Sequence, residues 1–227
     1  MELRRPIDAF RHFAAVTRLA PQSAVSWYNE GVALEAAGKG QDAADRYAEA
    51  IRLDPSYSSA HNNLGNVVAA NGQINDAIGH YREAVRTDPE NAEAHCSLAR
   101  GFTITGHAND AVSEYLAALA LRPDWTPCAM SYVWLISAHA DPSVRRPAEA
   151  VARAERLAAL TAGTDATVLD TLAVAYAAAG RFDAAVRAET AAITAAGQLA
   201  PTATVTLGDM RERLALFRQG RAFIVPD

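Results

Sequence analysis

Four prolines, Pro21, Pro55, Pro89 and Pro123, stand at a constant interval of 34 residues. The same interval links Ala9, Ala43, Ala77 and Ala111; it links Phe13, Tyr47, Tyr81 and Tyr115; and it links Gly38, Gly72 and Gly106. A period of this length marks supersecondary units that cannot bury their apolar faces alone and must stack on copies of themselves. Inside one period, His61, Leu64, Gly65 and Val68 follow i, i+3, i+4, i+7 and share one helix face, while Ala77, Tyr81 and Ala84 form the matching stripe on a partner helix. Gly65 and Ala77 are small so that the two backbones approach closely, and Tyr81 fills the wider gap. Proline then ends the second helix, because it lacks an amide hydrogen and clashes with the preceding turn. The expected fold class is all-α, a solenoid of stacked helix–turn–helix units.

Composition agrees and excludes several functions. Half of the 227 residues are hydrophobic but only 7% are aromatic, and the alanine bias favours many close-packed helices over a sheet. A formal net charge of -5 does not supply the basic footprint that phosphate binding needs, so no nucleic acid partner is expected. Arg145-Arg146 reads as a solvated turn. Cys96 and Cys128 form neither a disulfide framework nor a CxxC site and read as reduced packing residues. No stretch approaches the ~20 apolar residues of a membrane span, and the N-terminus lacks the apolar core of a secretory signal, so no membrane insertion and a cytoplasmic location are expected. The opening segment is arginine-bearing and amphipathic, but Glu2 and Asp8 argue against a transit peptide.

Laid on the W-x2-L-G-x2-Y…A-x3-F…P pattern, the chain resembles the tetratricopeptide repeat family. Residues 24–57 supply Trp27, Gly31, Leu34, Ala43, Tyr47, Ala50 and Pro55; 58–91 supply His61, Leu64, Gly65, Val68, Ala77, Tyr81, Ala84 and Pro89; and 92–125 supply His95, Leu98, Ala99, Phe102, Ala111, Tyr115, Ala118 and Pro123. Glu30 departs from the pattern where an apolar residue is expected. The fourth repeat, 126–165, is irregular, with a longer turn from Asp141 to Pro147 and Ala150 set five residues late. The fifth, 166–200, returns to register with Leu172, Ala173, Tyr176, Gly180, Ala185 and Ala192, and carries Glu189 at the usual aromatic position. A closing helix over about 202–219, within 201–227, has charges on one face, as a solubilising cap needs. This last third is similar to the end of many bacterial proteins of the family. Residues 7–23 match only the second helix of a repeat, so the chain begins in mid-repeat. The resemblance implies one right-handed superhelical domain over 1–227.

In that family the first helices line a concave groove. Carried over position by position, the resemblance puts Tyr28, Asn29, Val32 and Glu35 in it from the first full repeat, Asn62, Asn63 and Asn66 from the second, and Glu93, Cys96, Ser97 and Arg100 from the third. Met130, Ser131, Trp134, Asp170 and Thr171 follow from the last two. The three asparagines of "HNNLGN" cost roughly 0.5–0.7 kcal/mol each against alanine in a helix, which calls for a use. A carboxamide donates and accepts at once and suits the backbone of an extended ligand. "AHNNLGN" resembles the asparagine-ladder repeats of O-linked N-acetylglucosamine transferases, with Asn29 and Asn63 in place but Ser97, Ser131 and Thr171 departing. The carboxylate clamp of co-chaperone members would fall on Tyr28, Val32, Asn63, Glu93 and Ser97, where only Asn63 matches, so chaperone-tail binding is not expected.

No HExxH, glycine-rich phosphate loop, GxSxG elbow or metal-spaced cysteine set occurs. His61 and His95 take the position of Trp27 and read as packing residues. No catalytic residue, cofactor or metal is expected. The leading expectation is a non-catalytic interaction scaffold binding an extended peptide or partner helix. The alternative is the substrate-docking or regulatory region of a larger enzyme, most plausibly a glycosyltransferase. Self-association through the first helix is a further expectation, since Ile7, Phe10 and Phe13 lack a preceding repeat to cover them.

Overall fold

Glycine, proline and the alanine stripes divide the chain where the period says they should. The computed structural model describes residues 4–198 and 207–225, and within them there are twelve α-helices and no strand. They are α1 (Arg4–Leu19), α2 (Ala24–Ala36), α3 (Gly40–Leu53), α4 (Ser58–Ala70), α5 (Ile74–Thr87), α6 (Ala92–Ile104), α7 (Ala108–Leu121), α8 (Thr126–Ala138), α9 (Pro147–Leu160), α10 (Ala166–Ala178), α11 (Phe182–Ala196) and α12 (Leu207–Arg218). The fold is an all-α helical repeat solenoid. Its chain forms two compact units, Met1–Leu121 and Arg122–Asp227.

Four of the hairpin turns are closed in the same way. Gly38, Gly72, Gly106 and Gly180 have φ of 74°, 84°, 77° and 71°, a left-handed conformation that glycine adopts without steric cost. The next amide then reaches back over the helix end: Lys39 N–H donates to Leu34 O at 2.9 Å, Gln73 to Val68 at 3.2 Å, His107 to Phe102 at 2.8 Å and Arg181 to Tyr176 at 2.8 Å. These bonds satisfy carbonyls that a helix terminus leaves open. Pro21, Pro55, Pro89 and Pro123 each lie two residues beyond a helix end.

In the N-terminal unit the core repeats with the sequence. Ala43, Tyr47 and Ala50, then Ala77, Tyr81 and Ala84, then Ala111, Tyr115 and Ala118 are all buried. A Cβ built on Gly31 would lie 2.6 Å from the Tyr47 ring, and one on Gly65 would lie 2.6 Å from the Tyr81 ring. Glycine is thus required there by the ring of its own hairpin partner. Trp27, His61 and His95 make the same contact, a bond from a ring nitrogen to the carbonyl of the proline six residues earlier: Trp27 to Pro21 at 2.9 Å, His61 to Pro55 at 3.1 Å and His95 to Pro89 at 3.0 Å. Glu30, the apparent misfit, is buried but ion-paired with Arg46 at 2.7 Å. Phe10 packs against the cluster of Leu34, Ala43, Ala44 and Tyr47. Phe10 and Phe13 are therefore half-buried rather than bare, and the side chain of Ile7 lies outside the described residues.

In the C-terminal unit Ala150, Ala154 and Leu157 are buried along α9. The longer turn is pinned by buried Val144 and by Arg146 N–H donating to Ile136 O at 2.8 Å. The first turn expected for the closing helix, 202–206, lies outside the described residues. Buried Met210, Arg213, Leu214 and Phe217 recur at i, i+3, i+4, i+7 along α12. One of the charges expected on its solvated face, Arg213, points inward instead.

Candidate functional site

In the N-terminal unit the first helices α2, α4 and α6 carry the expected inward positions, and tyrosines of the second helices reach through to the same face. Tyr47 donates its hydroxyl to Glu35 Oε2 at 2.6 Å and accepts from Asn63 Nδ2 at 3.4 Å; the same Nδ2 lies 3.4 Å from the Tyr28 hydroxyl. Tyr81 donates to Asn66 Oδ1 at 3.0 Å, and Ser97 donates to that oxygen at 3.4 Å. Each bridge runs from one repeat to its neighbour or from first helix to second. Burial, then the bond to Glu35, raises the Tyr47 phenol above its usual range, and burial pushes that of Tyr81 up to about 12. Both remain protonated donors at neutral pH.

The expected lining residues separate accordingly. Tyr28, Asn29, Asn63, Asn66 and Ser97 are half-buried, while Val32, Glu93 and Arg100 are exposed. Asn63 is spent on two tyrosines and accepts from Asn62 at 3.4 Å. Asn66 uses only its oxygen, and its amide donors are unpaired among the described residues. Asn29 and Arg100 form no hydrogen bond or ion pair among the described residues. Asn62 departs from expectation: it is 3% exposed, so it belongs to the packing and does not line the face. Cys96 and Cys128 are buried and disulfide-bonded, which corrects their reading as reduced thiols.

Of the corresponding positions of the C-terminal unit, Met130, Ser131 and Trp134 are half-buried, whereas Asp170, 1% exposed and paired with Arg213 of α12, and Thr171 are buried. Arg213 of that helix meets Asp170 Oδ1 through Nη2 at 2.6 Å and Nε at 2.9 Å, and its Nε lies 3.5 Å from Glu189, which is fully buried. Asp170 is thus an interior ion-pair partner and not a lining residue. Burial is the main cause that raises Glu189 to about 9, with the Asp170 charge next, so Glu189 is a neutral acid at pH 7. Burial also raises Asp170, against the pull of Arg213. Trp134 is half-buried: its Nε1–H donates to Thr171 Oγ1 at 3.1 Å, Arg213 lies over its ring at 5.3 Å from the centroid, and Phe223 meets it edge-on at 6.0 Å. The repeat pattern does not foresee this aromatic seat of Trp134, Arg213 and Phe223. Glu189 at an aromatic position is its one visible sign in the sequence.

Among the described residues no helix is long and apolar enough to cross a membrane. A family model described as Tetratricopeptide repeat matches residues 1–58, 28–92 and 62–124. No curated protein matches the chain. Similar solved structures include YrrB, described as a TPR protein with an unusual peptide-binding site, at TM-score 0.65 and 18% identity over 82% of this chain and 93% of that one. MamA matches at TM-score 0.62 and 19% identity over 79% of this chain and 98% of that one. The Cut9–Hcn1 hetero-tetramer of APC/C matches at TM-score 0.72 and 16% identity over 96% of this chain, which spans 40% of that one. At such identities the likeness shows the fold alone.

Proposed function

The chain belongs to the tetratricopeptide repeat family, and from that premise we propose that it is a non-catalytic protein–protein interaction scaffold holding an extended peptide or partner helix along α2, α4 and α6. The observation that carries this reading is the division between spent and unspent polar groups on that face. Asn63 is committed to Tyr28 and Tyr47, whereas Asn29, Arg100 and the amide of Asn66 keep free donors, and Val32 is exposed. Free carboxamide donors suit the carbonyls of an extended ligand, and arginine is enriched at binding hot spots. Neighbouring helices lie roughly 8–10 Å apart and an extended strand rises about 3.3 Å per residue. Successive repeats therefore meet such a ligand about every third residue.

The transferase-docking alternative rests on an asparagine ladder. Here Asn63 is occupied and Thr171 is buried, so the scaffold is the better-supported reading. Two disulfide-bonded cysteines suit an oxidising compartment, which is a physical reason against the cytoplasmic setting. Affinity capture from source lysate tests the scaffold, comparing wild type with a folded Asn29→Ala/Asn66→Ala/Arg100→Ala variant. A partner held by the first and lost by the second supports the α2–α4–α6 face; equal recovery overturns it.

A further inference from the structure

At the C-terminal end, the chain folds back on its own first-helix face. α12 ends at Arg218, and Gly220, at φ 68°, turns the backbone so that Arg221 N–H donates to Leu216 O at 3.0 Å. Residues 221–225 then run in neither helix nor strand along α8. Phe223 meets the Trp134 edge, and Val225 N–H donates to Ala138 O at 2.8 Å. Ala138 is the last residue of α8, and carbonyls in that turn have no intrahelical donor.

The seat is better built than its occupant. Trp134 is fixed by Thr171, and Arg213 lies over both Trp134 and Phe223, at 5.3 and 5.8 Å from their centroids, while itself anchored on buried Asp170. A guanidinium over aromatic faces is a favourable recognition element. The tail contributes one ring and one backbone bond, and leaves Ile224 and Val225 at 37% and 45% exposure. We propose that Trp134, Arg213 and Ala138 O form a second peptide subsite, for an extended segment bearing an aromatic side chain two residues before a free backbone N–H. The chain's own tail is its intramolecular competitor. This inference rests on the reading of the chain as a peptide-binding scaffold.

A tethered segment competes at an effective concentration on the order of mM, and apparent affinity falls by the fraction of seats left open. The test is fluorescence anisotropy with a labelled peptide of residues 219–227, QGRAFIVPD, titrated against the full chain. Phe223→Ala in the protein is expected to bind it about tenfold more tightly than wild type. Alanine in place of phenylalanine in the peptide, or Trp134→Leu added to the protein, is expected to abolish binding. Circular dichroism establishes that each variant folds. A second variant, with ten Gly/Ser residues inserted after Gln219, keeps the Phe223 ring and the Val225 amide but dilutes the tethered tail and is expected to give an intermediate gain. Equal binding by wild type and both variants, binding that survives loss of either ring, or no binding by folded Phe223→Ala overturns the proposal. Capture of a partner through Asn29, Asn66 and Arg100 is read separately, so failure of this subsite is distinguishable from failure of the scaffold reading.

Discussion

The two units use the same hairpin and finish its inner face in opposite ways. In Met1–Leu121, neutral tyrosine hydroxyls tie the second helices to Glu35, Asn63 and Asn66 on the first, and polar donors remain free at the surface. In Arg122–Asp227, Glu189 takes the aromatic position, and its acid is buried together with Asp170 and Arg213 of α12. A phenol fills its gap and satisfies one bond. A carboxylic acid at the same place is buried beside the Asp170 carboxylate, and a cation from a later helix, Arg213, pairs with that carboxylate. The regular repeats thus expose a polar face, whereas the irregular end covers one.

Removing the cation gives the largest expected effect. Arg213→Ala strands buried Asp170 beside Glu189, and breaking a buried ion pair by one partner costs about 3–5 kcal/mol. Hydrogen exchange is expected to show loss of protection in α12 and α10 while α2–α7 keep theirs; protection lost evenly along the chain would erase the contrast between the units. The converse change sharpens it. Replacing all three groups at once, with Asp170→Ala, Glu189→Leu and Arg213→Met, is expected to leave thermal stability unchanged or raised, because apolar substitutes for a buried ion cluster avoid its desolvation cost.

How far all this is legible in the sequence depends on range. Helices and turns follow from contacts inside 34 residues, so Gly38, Gly72 and Gly106 mark turns and the prolines mark ends. The tyrosine hydroxyls stay hidden because the pattern treats Tyr47 and Tyr81 as ring volume only. Asp170 escapes for a different reason: its position in the repeat is inward-facing, but its burial is decided by Arg213, 43 residues later. Glu189 stands out as a departure from pattern, and nothing local says which residue answers it. Likewise, Phe223 reaches Trp134 only after α12 has turned the chain back.

Acidity separates the units next. The folded-state value of Glu189 is about 9, against 4.5 for an ordinary glutamate, so folding takes up a proton between those limits. Its contribution to stability is fully present below the ordinary value and is lost as pH rises through about 9. The melting temperature of the C-terminal unit is expected to fall from pH 5 to pH 9, and Glu189→Gln is expected to flatten that slope. A slope unchanged in the glutamine variant would show that Glu189 is not the group responsible.

The smallest expected effect lies in the regular repeats. Tyr81→Phe keeps the ring that fills the space beside Gly65 and removes only the hydroxyl that donates to Asn66 at 3.0 Å. A net hydrogen bond of this kind contributes about 0.5–1.5 kcal/mol. Asn66 Oδ1 keeps Ser97 at 3.4 Å and is half-buried, so water can replace the lost donor and the low end of that range applies. The cost is expected to be independent of pH between 5 and 9, because the Tyr81 phenol is pushed up to about 12 and does not titrate there. Chemical denaturation of Tyr81→Phe at both ends of that range checks this. A pH-dependent loss would mean that the face is not held by neutral bonds, and that the two units differ less than their geometry indicates.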